Sequence, residues 1–179
     1  MSFMTGIFPQ CLKKTKVIPV FKGGDPEEPS NFRPISLLPT LAKIIKNLVK
    51  VRLENFFDRF GLLSSMQFGF RSSKSTNDAM FSFLEDFYLQ LNEGEGAAAV
   101  FCDLSKAFDC VNHGILLSKL EAYGLRGASL SWFASYLSRR VQSVVVGNNE
   151  SELQEVTSGV PQGSVLGPLL FLIYVKRSD

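Results

Sequence analysis

Apolar and polar positions change period several times along this chain, and each change marks an element. From Leu41 to Phe60, Leu41, Ile44, Ile45, Leu48, Val51, Leu53, Phe56, Phe57 and Phe60 recur three and four apart, with Lys43, Lys46, Lys50 and Arg52 between them. That is the stripe of an amphipathic helix, and Gly61 is placed to end it. A second helix starts from a Ser75 or Thr76 cap and runs to about Leu91, with Phe81, Leu84, Phe87, Tyr88 and Leu91 as its expected buried face. Ile115, Leu116, Leu117, Leu120 and Tyr123 predict a third, closed by Gly124. Ser129 to Leu137 predict a fourth, whose Leu130, Trp132, Phe133 and Tyr136 read as core. The apolar stretch Leu166 to Tyr174 predicts a buried core helix.

Shorter runs read as strands. Val17, Val20 and Phe21 suggest one, and Pro19 within it removes a ladder donor, which predicts a sheet edge. Gly23 to Pro29 is dense in turn formers and reads as an exposed loop. Ala97 to Cys102 follows the loop Asn92-Glu93-Gly94-Glu95-Gly96 and reads as a buried strand with Asp103 at its carboxyl end. A carboxylate there can meet solvent and a divalent cation while the strand behind it stays packed. Val141 to Val146, the turn Gly147-Asn148-Asn149 and Leu153 to Val156 predict a hairpin, expected to share one antiparallel sheet with 97–102. The fold class predicted is α+β.

A chain of 179 residues with 45% hydrophobic content can bury a proper core. The net charge of +2 is small, but residues 1–60 hold ten Lys/Arg against five Asp/Glu, a bias that suits phosphate contact. The Lys43, Lys46, Lys50 and Arg52 face either lies along a nucleic-acid backbone or is simply solvated. Cys11, Cys102 and Cys110 form an odd set without a disulfide framework, which implies a reducing compartment, and with His113 they match no common zinc spacing. Buried thiols are the expectation. No signal peptide is legible, and Val165 to Val175 is too short to span a bilayer, so a non-secreted, intracellular protein is expected, nuclear or cytoplasmic.

Phe101-Cys102-Asp103-Leu104-Ser105-Lys106-Ala107-Phe108-Asp109 resembles the first catalytic motif of reverse transcriptases of the non-LTR, LINE-type retrotransposons. Four further stretches match the same family in the same order: Lys16 to Lys22, Asn31 to Leu38, Gln67 to Arg71 with Ser75-Thr76, and Ser158 to Ser164. The resemblance implies a fingers-and-palm fragment, with about 1–96 as fingers and flanking helices and about 97–179 as palm, its antiparallel sheet backed by helices. It implies RNA-directed DNA synthesis from an RNA template, a DNA primer and deoxynucleoside triphosphates, with Mg2+, or Mn2+, as cofactor in a two-metal scheme.

By the same resemblance Asp103 is the catalytic carboxylate and, with the Leu104 carbonyl, a metal ligand. Lys22 and Arg33 would approach the triphosphate, and Phe108 would lie beneath the sugar, where its ring excludes a 2′-hydroxyl. Gln162 and Gly163 would grip the base pair, and Gln67 and Arg71 the template. Each also has a plainer reading: a solvated Lys22, a core Phe108, a turn at 159–163, a helix cap and a surface arginine at 67–71. Asp109 is expected to cap the following helix rather than bind metal. The chain departs from the family at Lys46-Asn47, where members often carry Glu-Lys, and it holds no adjacent Asp-Asp pair. The resemblance therefore implies a polypeptide inactive on its own, with a non-catalytic remnant that binds nucleic acid or a protein partner as the alternative. Oligomeric state is left open.

Overall fold

In the computed structural model, which describes residues 2–94, 96–161 and 163–176, six helices and five strands alternate as α1 (Ser2–Thr5), β1 (Lys14–Phe21), β2 (Phe32–Leu37), α2 (Thr40–Arg59), α3 (Thr76–Asn92), α4 (His113–Ala122), α5 (Gly127–Leu137), β3 (Arg140–Val146), β4 (Asn149–Glu150), β5 (Gln154–Val156) and α6 (Gly167–Val175). The expected α+β class stands. None of the described helices is long and apolar enough to cross a membrane.

The sheet runs β2-β1-β3-β4, with β5 also paired to β3. Three of its pairings are antiparallel, but β1 and β3 run parallel over Lys14–Val17 against Val141–Val144, so the sheet is mixed rather than wholly antiparallel. The β3–β5 hairpin forms as its alternation predicts. β1, expected at an edge, is internal over 14–17. Beyond Val17 no described strand pairs with its β3 side, and on the other side Pro19 stands opposite Pro34, so neither ring blocks a needed donor.

Helix ends follow local chemistry. Gly61 (φ 59°) lets α2 close on itself: its N–H donates to the Asp58 carbonyl and the N–H of Leu62 to that of Phe57, a glycine-dependent C-terminal cap. Ser75 accepts from the Asp78 N–H at 3.2 Å while the Asp78 carboxylate accepts from the Ser75 N–H at 2.7 Å, a capping box, and hydrogen bonds from the Ser75 hydroxyl first and the Ser75 N–H second hold the Asp78 carboxyl below its ordinary pKa. The core gathers Ala42, Val49, Leu53 and Phe57 of α2, Leu116 and Leu120 of α4, Trp132, Phe133, Tyr136 and Leu137 of α5, and Leu169, Leu170 and Ile173 of α6. Each large apolar side chain buried there stabilises by about 1.5–3 kcal/mol. Periodicity therefore identified Leu116 and Leu120 of α4 and Trp132, Phe133 and Tyr136 of α5, and α6 is buried as its apolar run predicts. Of the nine stripe residues of α2, however, only Leu53 and Phe57 are buried, while Leu41, Ile44, Leu48, Val51 and Phe60 are exposed, as is Ile115 of α4.

Further expectations fail. Residues 97–102 are not a strand: Val100 and Phe101 are 87% and 83% exposed, and no described strand lies beside them to take their backbone N–H and C=O groups. They therefore share no sheet with the hairpin. α3 buries none of its residues, and Phe81, Tyr88 and Leu91 face outward. The three cysteines are exposed rather than buried, and free. Lys46, expected on the solvated face of α2, is fully buried (0% exposed) because its spacing from Ala42, Val49 and Leu53 puts it on their side of the helix.

Candidate functional site

Two distant segments are bolted together beside the candidate site. The Gly159 N–H donates to the Val111 carbonyl at 2.8 Å and the Val160 N–H to the Phe108 carbonyl at 2.8 Å, while His113 Nε2 lies 2.8 Å from the Gly159 carbonyl. Gly159 is required there twice over. Its φ is 82°, and a Cβ would stand 2.9 Å from the Cα and carbonyl oxygen of Asp109. The block at 158–164 is thus held against the block at 103–109, although some fifty positions separate them in sequence.

In front of that junction opens a cleft of about 1170 Å³. One wall is the β1–β2 ladder, with Pro19, Phe32 and Pro34; the other is the 102–109 loop, backed by Phe171 of α6. Lys22, Arg33, Asp103, Leu104 and Phe108 all line it. Five of the nine residues singled out from the sequence therefore converge on one cavity. Lys22 is held at the β1 terminus, where its N–H donates to the Asn31 carbonyl at 2.8 Å and its Nζ to the Ser30 carbonyl at 3.3 Å. Arg33 is exposed and forms no ion pair with a described carboxylate, so its fork is free to take an anion. Phe108 is half-buried between Phe171 (ring centroids 4.9 Å apart) and Phe70 (5.8 Å, edge to face). Asp103 is exposed on a loop, not at the end of a strand.

The remaining candidates lie elsewhere. Gln162 falls outside the described residues. Gly163 (φ 80°) is not on the cleft wall; a Cβ there would sit 3.9 Å from Ile35 and Ser36 of β2. Gln67 donates through Nε2 to the Gly69 carbonyl at 3.1 Å, and Arg71 donates to the Ser64 carbonyl at 2.9 Å and pairs with Asp58 at 3.6 Å. Gln67 is spent within its own loop and Arg71 on that loop and on Asp58 of α2, but Arg71 also lines a smaller cavity of about 270 Å³ with Lys50 and Ser72. Phe70 belongs to both cavities and joins them. It and Lys106, another residue on the cleft wall, hold positive φ (58° and 53°), backbone strain of the kind that gathers at functional sites. Neither was singled out from the sequence, though both lie inside motif blocks; Phe171 carried no signal beyond belonging to an apolar helix.

Asp109, read as a helix cap, is not one. Asn112 caps α4, accepting from the Ile115 N–H at 3.0 Å, and Asp109 lines the cleft with Asp103. Two carboxylates and the Leu104 carbonyl are hard oxygen donors of the type magnesium prefers. Among the described residues, however, no three His, Cys, Asp or Glu are placed to hold a metal ion together, so these residues do not complete a metal site.

The sequence profile of the family described as "Reverse transcriptase (RNA-dependent DNA polymerase)" matches residues 13–179. The chain belongs to the reverse transcriptase family. This reverse transcriptase segment is 36% identical to the "Probable RNA-directed DNA polymerase from transposon BS" of Drosophila melanogaster over 174 residues, 93% of this chain and 18% of that protein. It is 34% identical to the "RNA-directed DNA polymerase from mobile element jockey" of the same species, over 96% of this chain and 19% of that protein. Against the "Retrovirus-related Pol polyprotein from type-1 retrotransposable element R2" of Popillia japonica the identity is 29%, over 91% of this chain and 22% of that protein. The reverse transcriptase segment is thus of the LINE type and spans about a fifth of the length of the curated relatives it matches.

Proposed function

We propose that this segment carries the nucleotide-binding cleft of an RNA-directed DNA polymerase that copies retrotransposon RNA. The observation that supports the reading best is the convergence of Lys22, Arg33, Asp103, Leu104 and Phe108 on one cavity. In this reading Lys22 and Arg33 take the triphosphate of an incoming deoxynucleotide, Arg33 offering two parallel N–H donors and Lys22 a point charge. Phe108, packed between Phe70 and Phe171, would lie beneath the sugar, where its ring would exclude a 2′-hydroxyl. Arg71, Gln67, Gln162 and Gly163 would face the template and the base pair, with residues 1–96 as fingers and 97–179 as palm. The RNA template and DNA primer would be met inside the cell, in the nucleus or cytoplasm.

Asp103 and the Leu104 carbonyl would be one corner of a magnesium or manganese site, the ions whose charge serves two-metal nucleotidyl transfer. Since the described residues do not complete that site, no step is assigned to an ion, and a polypeptide made of these 179 residues alone would bind nucleotide without extending a primer. Nucleic-acid binding without catalysis is the second reading, and the pair of carboxylates standing without a third favours it for the isolated segment. Titration of the segment with a labelled deoxynucleoside triphosphate tests the first reading: Arg33→Ala should weaken binding by about tenfold, the loss of one charge-assisted contact, while Lys43→Ala leaves it unchanged. Equal effects of the two substitutions would remove Arg33 from the site.

A further inference from the structure

A second groove, of about 540 Å³, lies between α2 and α5 and shares no lining residue with the cleft that holds Asp103. Its floor is apolar, built from the edges of Val49, Leu53, Trp132 and Phe133, with Phe3 and Phe56 beside them. The charged residues on its wall are Arg52 and Arg126, and no carboxylate lines it. The Arg52 guanidinium lies over the Phe3 ring, 5.8 Å from its centroid, and forms no ion pair with a described carboxylate. Arg126 donates to the backbone carbonyl of Glu121 and meets the Glu121 carboxylate only at 3.8 Å in an exposed pair, a contact that a ligand can displace at small cost.

Apolar floor and cationic wall together select the occupant. A groove between two helices fits an amphipathic segment laid along it, apolar anchors downward, and the guanidinium forks match carboxylates. Single-stranded nucleic acid, the other polyanion these arginines would attract, binds by stacking bases on open ring faces. Here Trp132 is nearly buried and stacked on Tyr136 (interplanar angle 8°), and the Phe3 ring already carries Arg52 and Trp132. We propose that this groove docks an acidic peptide segment of a partner protein, with an apolar anchor over Leu53 and Trp132 and carboxylates at Arg52 and Arg126.

Trp132 is the chain's single tryptophan, so its emission reports occupancy directly. The probe is a short synthetic peptide that alternates glutamates with Leu-Phe and Leu-Leu pairs; beside it run a copy with glutamine for every glutamate and an oligo-uridylate. Expected are a saturable change in Trp132 emission with the acidic peptide, and loss of affinity by about a hundredfold in the Arg52→Gln, Arg126→Gln double variant, about tenfold for each charge-assisted contact. Ser129→Phe, which fills the groove from an exposed position of α5, should abolish the response while circular dichroism and melting stay unchanged. Equal binding of the glutamine copy, a response that survives Ser129→Phe, competition by oligo-uridylate at the same site, or no response at millimolar peptide would each overturn the proposal. Nucleotide binding in the Asp103 cleft is measured separately, and its presence or absence leaves these outcomes untouched.

Discussion

Replacing Gly159 by alanine adds one methyl group at the point where two motif blocks touch, and its effect can be worked out from contacts. An L-residue at φ 82° carries left-handed strain of about 1–2 kcal/mol. The new Cβ also meets the Asp109 Cα and carbonyl oxygen at 2.9 Å and the Phe108 carbonyl oxygen at 3.0 Å, all backbone atoms that cannot rotate away. The segments must part, which loosens the 2.8 Å hydrogen bonds from Gly159 to Val111 and from Val160 to Phe108, each contributing about 1 kcal/mol. Strain and lost bonds together give about 3–4 kcal/mol, and at about 2–4 °C per kcal/mol for a domain of this size the melting temperature should fall by about 6–16 °C. Gly163→Ala is the matched control: its φ is 80°, but the nearest atoms lie at 3.9 Å, so strain alone remains, about 1–2 kcal/mol. The measurement is urea and thermal unfolding followed by circular dichroism, with nucleotide affinity measured on the same samples. Because the displaced backbone carries Phe108, Gly159→Ala should also weaken nucleotide binding more than Gly163→Ala. Equal destabilisation by the two substitutions, or a loss below about 1 kcal/mol at Gly159, would refute the close-approach argument.

Lys46 supplies a pH test: buried without a hydrogen-bond partner and faced by Arg140, itself buried, its pKa is lowered to about 7 by desolvation first and by the Arg140 charge second. Between pH 7 and 10.5 the unfolded chain holds the proton that the folded chain has lost, so stability should rise with pH by about 2 kcal/mol from pH 7 to 9, whereas below pH 7 the burial cost is fully present. Lys46→Met should flatten that profile and stabilise at neutral pH, and denaturant titrations in which the difference between the two proteins shows no pH dependence would refute it. In the nucleotide cleft, Phe108→Val should narrow the preference for deoxy- over ribonucleoside triphosphates in competition binding, and an unchanged ratio would take Phe108 away from the sugar. RNA binding should weaken as salt rises, with a shallow slope because Lys13 and Lys46 of the ten early basic residues are buried; filter binding across a salt series gives the slope, and a value demanding all ten would contradict their placement.

Local chemistry determined much of this protein before any folding. The Ser75 cap, the Gly61 stop, the β3–β5 hairpin, the core positions of α4 and α5 and the apolar run of α6 depend on residues within a turn or two of one another, so pattern and propensity suffice to read them. The motif blocks likewise named Lys22, Arg33, Asp103, Leu104 and Phe108 in advance. What sequence could not decide is everything that needs a distant partner. Whether Ala97 to Cys102 becomes a strand depends on a neighbour to accept its ladder, and among the described residues none stands there. Whether α3 buries its aromatic stripe depends on a surface to pack against, and which way Lys46 points depends on the face of α2 that Phe57 and Leu53 pull inward. The 102–109 loop that forms one wall of the cleft is backed by a contact of the same kind: Gly159, lacking a side chain, lets its own loop lie directly on the backbone at Phe108 and Asp109, positions that share no local pattern with it.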